Sequence, residues 1–232
     1  MTRTNPIIVA LDTSSSLRAL YLVRHLKVAG VGFKVGTELF VSQGPKIVEK
    51  IVRHDVRVFL DLKFHDIPNT VARGSEGATR LGVWMFNVHA VGGVDMMRSA
   101  KMASAETASK LKIEPPLVIG VTVLTSLEKL PGSGQDPSSR VLELARSSRE
   151  SGLDGVVASG MEAFLIRKEI GPSFTIVTPG IRLPSSPPDD QKRVATPAEA
   201  LKGGANYLVV GRPITQSRRP MKVVEEILQS LS

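Results

Sequence analysis

The segment DLKFHDIPNT contains two acids and a base within six residues: Asp61, Lys63 and Asp66. They follow an apolar, β-branched run, Val56–Leu60, which is typical of a buried strand. Residues two apart on a strand project to the same face, so we expect the Asp61 and Lys63 side chains to lie together. Burying charges is costly unless they are paired. An acid and a base held together at a strand end predict proton-transfer chemistry.

Lys34 is a second base, and with Asp61, Lys63 and Asp66 it could form an alternating array of cations and anions. In such an array each ammonium favours the charged form of its neighbouring carboxylates, and the reverse. A cationic lysine that faces a cavity can protonate a developing carbanion, and an aspartate beside it would repel an anionic group of the substrate. The alternative is a buried ion-pair network that only seals one end of the fold.

Eight short apolar runs recur along the 232-residue chain, and segments with helical periodicity lie between them. The predicted strands are Ile7–Leu11, Gly32–Val35, Val56–Leu62, Met85–His89, Leu117–Leu124, Gly155–Ala158, Phe174–Val177 and Tyr207–Val210. Eight strand–helix alternations predict an α/β fold, a single-domain (β/α)8 TIM barrel over residues 1–232. The alternative is an open doubly wound sheet, which needs a glycine-rich phosphate loop before a helix, and no helical pattern begins at Gly132–Gly134.

The active site of such a barrel lies at the C-terminal ends of its strands, where polar residues are therefore candidates. They are Asp12, Lys34, Asp61, Lys63, His89, Thr125, Ser159, Arg182, Gly211 and Arg212. The loop after the eighth strand often binds phosphate in this fold, and an arginine there can donate two parallel hydrogen bonds. A glycine turn with a surface arginine is the alternative for Gly211 and Arg212.

A polar, proline-rich segment, Thr178–Val194, follows the seventh strand and is long for a connection between a strand and a helix. It predicts a mobile lid, with Arg182 at its base and Gln191 as a closing contact. A plain linker is the alternative.

The composition argues against several kinds of site and partner. The chain has no cysteine, and its four histidines do not form ligand pairs, so we expect neither a metal nor a disulfide. The net charge of +8 suits an anionic ligand, whereas 4% aromatic residues and the lack of a basic arm argue against nucleic acid. The N-terminal apolar stretch is too short for a signal peptide or a membrane span, which predicts a cytoplasmic protein.

The segment DLKFHDIPNT resembles the signature of the orotidine 5′-phosphate decarboxylases. Other motifs of the same family occur in order along essentially the whole chain. Before this segment they are ALD with Asp12 and FKVG with Lys34, and after it NVHA with His89, VTVLTS with Thr125, TPGIR with Arg182, Gln191 and VGRPIT. The resemblance implies a carboxy-lyase without metal or cofactor, which converts orotidine 5′-monophosphate to UMP and CO2 in de novo pyrimidine synthesis.

The resemblance also implies a role for each matching residue. Lys63 matches the acid that protonates C6 of the pyrimidine, Asp61 the carboxylate that faces the substrate carboxylate, and Lys34 the lysine that bridges Asp61 and the ribose hydroxyls. Asp66 and Thr70 match residues that a homodimer contributes to the partner's active site. Asp12 matches a ribose contact, and Thr125 matches a pyrimidine contact. The residues that match the phosphate end and its closing loop are Pro179, Arg182, Gln191, Gly211 and Arg212.

Two other functions remain possible from the sequence. A sugar-phosphate lyase of the same suprafamily, similar to 3-keto-L-gulonate 6-phosphate decarboxylase, shares D-x-K-x-x-D and the phosphate end but uses Mg²⁺. The residues IPNT after Asp66 and LTS at the fifth strand favour the pyrimidine enzyme. A barrel that only binds or senses a phosphate ligand is the non-enzymatic alternative.

Overall fold

The computed structural model describes residues 5–132, 134–183 and 193–231 and shows a closed barrel of parallel strands. The strands are β1 (Ile7–Ala10), β2 (Gly32–Gly36), β3 (Val58–Phe64), β4 (Met85–His89), β5 (Leu117–Val121), β6 (Gly155–Val157), β7 (Thr175–Thr178) and β8 (Tyr207–Val210). Each strand pairs with the next, and β8 pairs with β1. The predicted (β/α)8 TIM barrel is therefore confirmed, and the extent of the single domain over residues 1–232 stays a prediction.

Helices cover the outside of the barrel. They are α1 (Ser16–Leu26), α2 (Thr37–Gln43), α3 (Pro45–Val52), α4 (Pro68–Arg80), α5 (Val94–Leu111), α6 (Ser138–Glu150), α7 (Gly160–Ile170), α8 (Pro197–Lys202), α9 (Arg212–Thr215) and α10 (Pro220–Gln229), with 3₁₀ turns at Lys27–Ala29 and Ala90–Gly92. Apolar side chains at helical spacing bury one face of each long helix, as Ala19, Leu22 and Leu26 do in α1. No helix among the described residues combines the length and apolar character needed to cross a membrane.

Six of the eight strands differ from their predicted bounds, four of them by a single residue and β3 and β5 by two or more. β3 begins and ends two residues later than Val56–Leu62, because its charged end stays within the sheet. β5 ends at Val121 rather than Leu124, and at Thr122 both the backbone N–H and the hydroxyl donate to the Val157 carbonyl, at 3.3 and 2.8 Å. An apolar run alone does not distinguish a strand from a cavity wall of the same composition.

Apolar side chains fill the middle of the barrel, below the C-terminal ends of the strands. The inward-facing cluster comprises Ile8, Ala10, Phe59, Met85, Ile119, Val177 and Val209. A larger apolar layer lies between the strands and the surrounding helices. Because the interior is packed, the strand ends present their polar residues above an apolar floor.

Candidate active site

A cavity of about 260 Å³ opens at the C-terminal ends of the strands. Its volume is close to the lower end of small-molecule sites, roughly 300 Å³. Nine of the twelve residues predicted to act or bind line it: Asp12, Lys34, Asp61, Lys63, Thr125, Pro179, Arg182, Gly211 and Arg212. Apolar residues of the interior, among them Phe59 and Val209, form its floor. The structure thus brings most of the predicted site together.

Four charged side chains form a continuous alternating array along one wall of the cavity. The Lys34 ammonium lies 2.9 Å from Asp12 Oδ1 and 3.3 Å from Asp61 Oδ2. The Lys63 ammonium donates to Asp61 Oδ1 at 2.7 Å. The array arises because Lys34 lies in β2, between the end of β1 and the end of β3. In this chain its outer acid is Asp12, whereas the sequence suggested Asp66 for that place.

The array holds its two most buried members in their charged forms. Burial lowers the pKa of the Lys34 ammonium, but attraction to Asp61 and Asp12 outweighs this, and the net pKa lies above its ordinary value of 10.5. Burial raises the pKa of the Asp61 carboxyl, but attraction to Lys34 and Lys63 outweighs this, and the net pKa lies below its ordinary value of 3.8. Lys34 is therefore a cation and Asp61 an anion at neutral pH.

β3 is irregular where it carries the catalytic candidates. Leu60 pairs with Phe86 of β4 and Phe64 with Val88, so residues 61–63 face a single residue of the neighbouring strand. Lys63 has φ +52°, in the left-handed region that residues other than glycine rarely adopt. Such conformations cost of order 1–3 kcal/mol and cluster at functional sites. Asp61 and Lys63 meet as predicted, but across a bulge rather than on the face of a regular strand.

Asn87 is a site residue that the sequence reasoning missed. It faces the bulge from β4, is buried with 1% of its surface exposed, and donates from Nδ2 to Asp61 Oδ1 at 2.7 Å. Its Oδ1 accepts the backbone N–H of Lys63 at 2.8 Å. The available signal was an amide within the apolar strand MFNVH, since a buried amide requires hydrogen-bond partners.

The phosphate-end candidates follow β7 and β8. Pro179 and Arg182 come after β7, and Gly211 and Arg212 come after β8, where Gly211 precedes the short helix α9. The Arg182 N–H donates to the Ala195 carbonyl at 3.0 Å, which joins the two ends of the segment that was predicted to be a lid. Residues 184–192 of that segment, with Gln191, lie outside the described residues.

A buried ion pair, also missed, contacts the segment after β5 that lines the cavity. Arg193 and Glu162 pair with 5% and 3% of their side chains exposed, and the Ser159 hydroxyl donates to Glu162. Arg193 also donates to the Val123 and Leu124 carbonyls at 2.9 and 3.1 Å. The predicted candidate Ser159 therefore supports this pair and is not among the residues that line the cavity. The polar sequence around Arg193 carried no sign of its burial.

Asp66, Thr70 and His89 are not among the residues that line the cavity. Asp66 and Thr70 are exposed, and Asp66 Oδ1 accepts the N–H of Ile67 at 2.7 Å. His89 packs beside His65 with ring centroids 5.5 Å apart, and its pKa is lowered first by burial and then by its electrostatic interactions with His65 and Lys63.

Comparisons with known proteins agree on one family. The profile described as "Orotidine 5'-phosphate decarboxylase / HUMPS family" matches residues 5–227. A Legionella pneumophila (strain Corby) protein named orotidine 5′-phosphate decarboxylase is 48% identical over 232 residues, covering 98% of this chain and 100% of the relative. A Hydrogenovibrio crunogenus protein of the same name is 48% identical over 229 residues, covering 97% and 95%.

Solved structures show the same architecture. The crystal structure of orotidine 5′-phosphate decarboxylase from Lactobacillus acidophilus superposes with a TM-score of 0.85 at 35% identity, covering 98% of this chain and 99% of that chain. The enzyme of that name from Pyrococcus horikoshii superposes with a TM-score of 0.78 at 23% identity, covering 97% and 98%, and supports the fold alone.

Proposed function

This chain belongs to the orotidine 5′-phosphate decarboxylase / HUMPS family, and from that membership we propose the chemistry of its cavity. The chain is a carboxy-lyase that converts orotidine 5′-monophosphate to UMP and CO2, a reaction of pyrimidine biosynthesis. Relatives that are 48% identical over nearly the full length are named orotidine 5′-phosphate decarboxylase. This favours decarboxylation of orotidine 5′-monophosphate over the sugar-phosphate alternative. The observation that supports the proposal most directly is the Asp12–Lys34–Asp61–Lys63 array at the mouth of the barrel.

The array suits the demands of this decarboxylation. The bond between C6 and the carboxylate carbon breaks, CO2 leaves, and the electron pair stays on C6 as a carbanion that nothing delocalises well. The Lys63 ammonium stabilises that charge and then transfers a proton from Nζ to C6. Asp61 remains ionised and would repel the substrate carboxylate, and that repulsion is relieved as CO2 leaves.

The rest of the cavity binds the substrate. Lys34 remains cationic between two carboxylates, and it and Asp12 contact the ribose hydroxyls. Thr125, on the β5 side, contacts the pyrimidine. The phosphate group is bound by Pro179, Arg182, Gln191, Gly211 and Arg212. Phosphate contacts lie far from C6, so their binding energy can stabilise the transition state through positioning.

We also propose a homodimer with shared active sites, in which Asp66 and Thr70 reach the partner's substrate. Two facts support it: both residues are exposed beyond the end of β3, and Ile67 between them is apolar yet 66% exposed. The dimer acts in the cytoplasm on a small molecule, without a nucleic-acid or membrane partner.

The decisive experiment adds the purified protein to orotidine 5′-monophosphate and follows the ultraviolet absorbance, with UMP and CO2 identified as products. We expect conversion that is unchanged by EDTA, because the array performs the chemistry without a metal or cofactor. No conversion would overturn the proposal. Turnover of 3-keto-L-gulonate 6-phosphate that EDTA abolishes would instead support the Mg²⁺-dependent sugar-phosphate alternative.

A further inference from the structure

Asn87 contacts both residues on which the proposed reaction depends. Its Nδ2 donates a hydrogen bond to Asp61 Oδ1, which also accepts a hydrogen bond from the Lys63 ammonium. Its Oδ1 accepts a hydrogen bond from the Lys63 backbone N–H. One amide therefore bridges the carboxylate of the array and the backbone of the proton donor.

The bulge in β3 explains why an amide is needed at this place. Three residues of β3 face Asn87 alone, so the regular pairing between β3 and β4 is interrupted from Leu60 to Phe64. The Lys63 N–H is thereby left without a backbone partner on β4, and a buried donor without an acceptor costs about 1–3 kcal/mol. Asn87 Oδ1 supplies that acceptor while Lys63 stays in its left-handed conformation.

Only a side chain that both donates and accepts satisfies the two contacts. An apolar residue of similar size would leave the Lys63 N–H and one site on Asp61 unpaired. An aspartate would still accept from the Lys63 N–H but would place a second carboxylate against Asp61. Asparagine presents a carbonyl oxygen and an NH2 group in one plane, as the two contacts require.

We propose that Asn87 is a positioning residue that holds the β3 bulge and thereby sets where the Lys63 ammonium and the Asp61 carboxylate meet the substrate. The inference rests on the proposed function and deepens it, since it concerns how the same site is held. Asn87 is not among the residues that line the cavity, so it acts through the two residues it bonds and not through the substrate.

The first test separates turnover from binding in Asn87→Ala. We expect kcat to fall by about 10²-fold, the scale of a misplaced reacting group. The KM for orotidine 5′-monophosphate and the calorimetric affinity for UMP should change far less, because ribose and phosphate contacts are untouched. Thr79→Val removes two other buried hydrogen bonds, to the Ser75 carbonyl and the Ser104 hydroxyl, at a residue that does not line the cavity, and should keep the wild-type kcat. An unchanged kcat, or an equal loss of UMP affinity, would overturn the inference.

The second test needs no turnover and uses hydrogen exchange of the Lys63 amide, measured by NMR. The amide should be protected in the wild type and in Asn87→Asp, which keeps the acceptor, and should exchange rapidly in Asn87→Ala. Equal protection in all three proteins would overturn the inference even if the enzyme is active. If the wild type does not convert orotidine 5′-monophosphate, the proposed function fails while the exchange result still decides the role of Asn87.

Discussion

Lys34 and Asp61 form an enclosed ion pair in the cavity, with the ammonium 3.3 Å from Asp61 Oδ2 and 11% and 13% of the two side chains exposed. The pair is stable because each partner has a further counter-charge, Asp12 for Lys34 and Lys63 for Asp61. The whole array is thus electrically balanced before any substrate arrives. A substrate carboxylate that approaches Asp61 adds a negative charge to a set that is already neutral.

Removing the proton donor should abolish turnover but not folding. In Lys63→Ala we expect kcat to fall by about 10³-fold or more, because both the proton and the positive charge beside C6 are lost. The Lys63 side chain is 36% exposed, so its removal leaves little buried space. Steady-state kinetics measure the effect, and circular dichroism with a thermal melt checks the fold. A folded variant with wild-type kcat would contradict the assigned role.

The shifted pKa values predict a window of pH in which the array is fully charged. The folded pKa of Asp61 is lowered, so its contribution to stability is present above about pH 4 and is lost as the pH falls through the lower folded value. The folded pKa of Lys34 is raised, so its contribution is present below about pH 10.5 and is lost as the pH rises through the higher folded value.

Urea denaturation of wild type and Asp61→Asn at a series of pH values measures the acidic edge of this window. The difference in unfolding free energy should be constant between about pH 5 and 9 and should change below about pH 4, where the wild-type carboxylate takes up its proton. Asp95→Asn is a control, since the Asp95 side chain is 90% exposed and should show no such change. A difference that varies across the neutral range would show that Asp61 titrates there.

The Arg193–Glu162 pair should matter for stability far more than a surface pair. Glu162→Gln leaves the buried guanidinium without its counter-charge, and we expect a loss of about 3–5 kcal/mol in the free energy of unfolding. Glu76→Gln breaks the more exposed pair with Arg73 and should cost less than about 1 kcal/mol. Denaturant unfolding measures both, and equal effects would show that burial does not strengthen the interior pair.

Mixing two inactive variants tests the shared active site. Lys63→Ala and Asp66→Ala should each be nearly inactive alone, and a hybrid dimer should contain one site with both groups intact. Activity should therefore reappear after subunit exchange. Lys63→Ala mixed with Lys34→Ala is the matched control, because both residues serve the site of their own chain and every hybrid site lacks one of them. No recovery in the first mixture, despite proven exchange, would refute the shared site.

The barrel and most of its cavity could be predicted because they follow from periodicity. Apolar runs locate the strands, parallel strands end at one edge, and polar residues such as Asp12, Lys34 and Arg212 fall at that edge. Asn87 and Arg193 could not be predicted in the same way. The role of Asn87 depends on how β3 shifts against β4, and the burial of Arg193 depends on packing between segments distant in sequence. Both depend on how separate elements contact one another, and the pattern of residues within one element does not predict such contacts.

The irregular pairing of β3 and β4 has a consequence for moving this chemistry to another protein. The residues DLKFHDIPNT, inserted into the third strand of a different barrel, would find a regular neighbour and would continue as a flat strand. Lys63 would then lose both its left-handed backbone and the amide that receives its N–H. The portable unit is therefore a pair of strands, and a designer who transplants the motif must bring Asn87 and its strand with it.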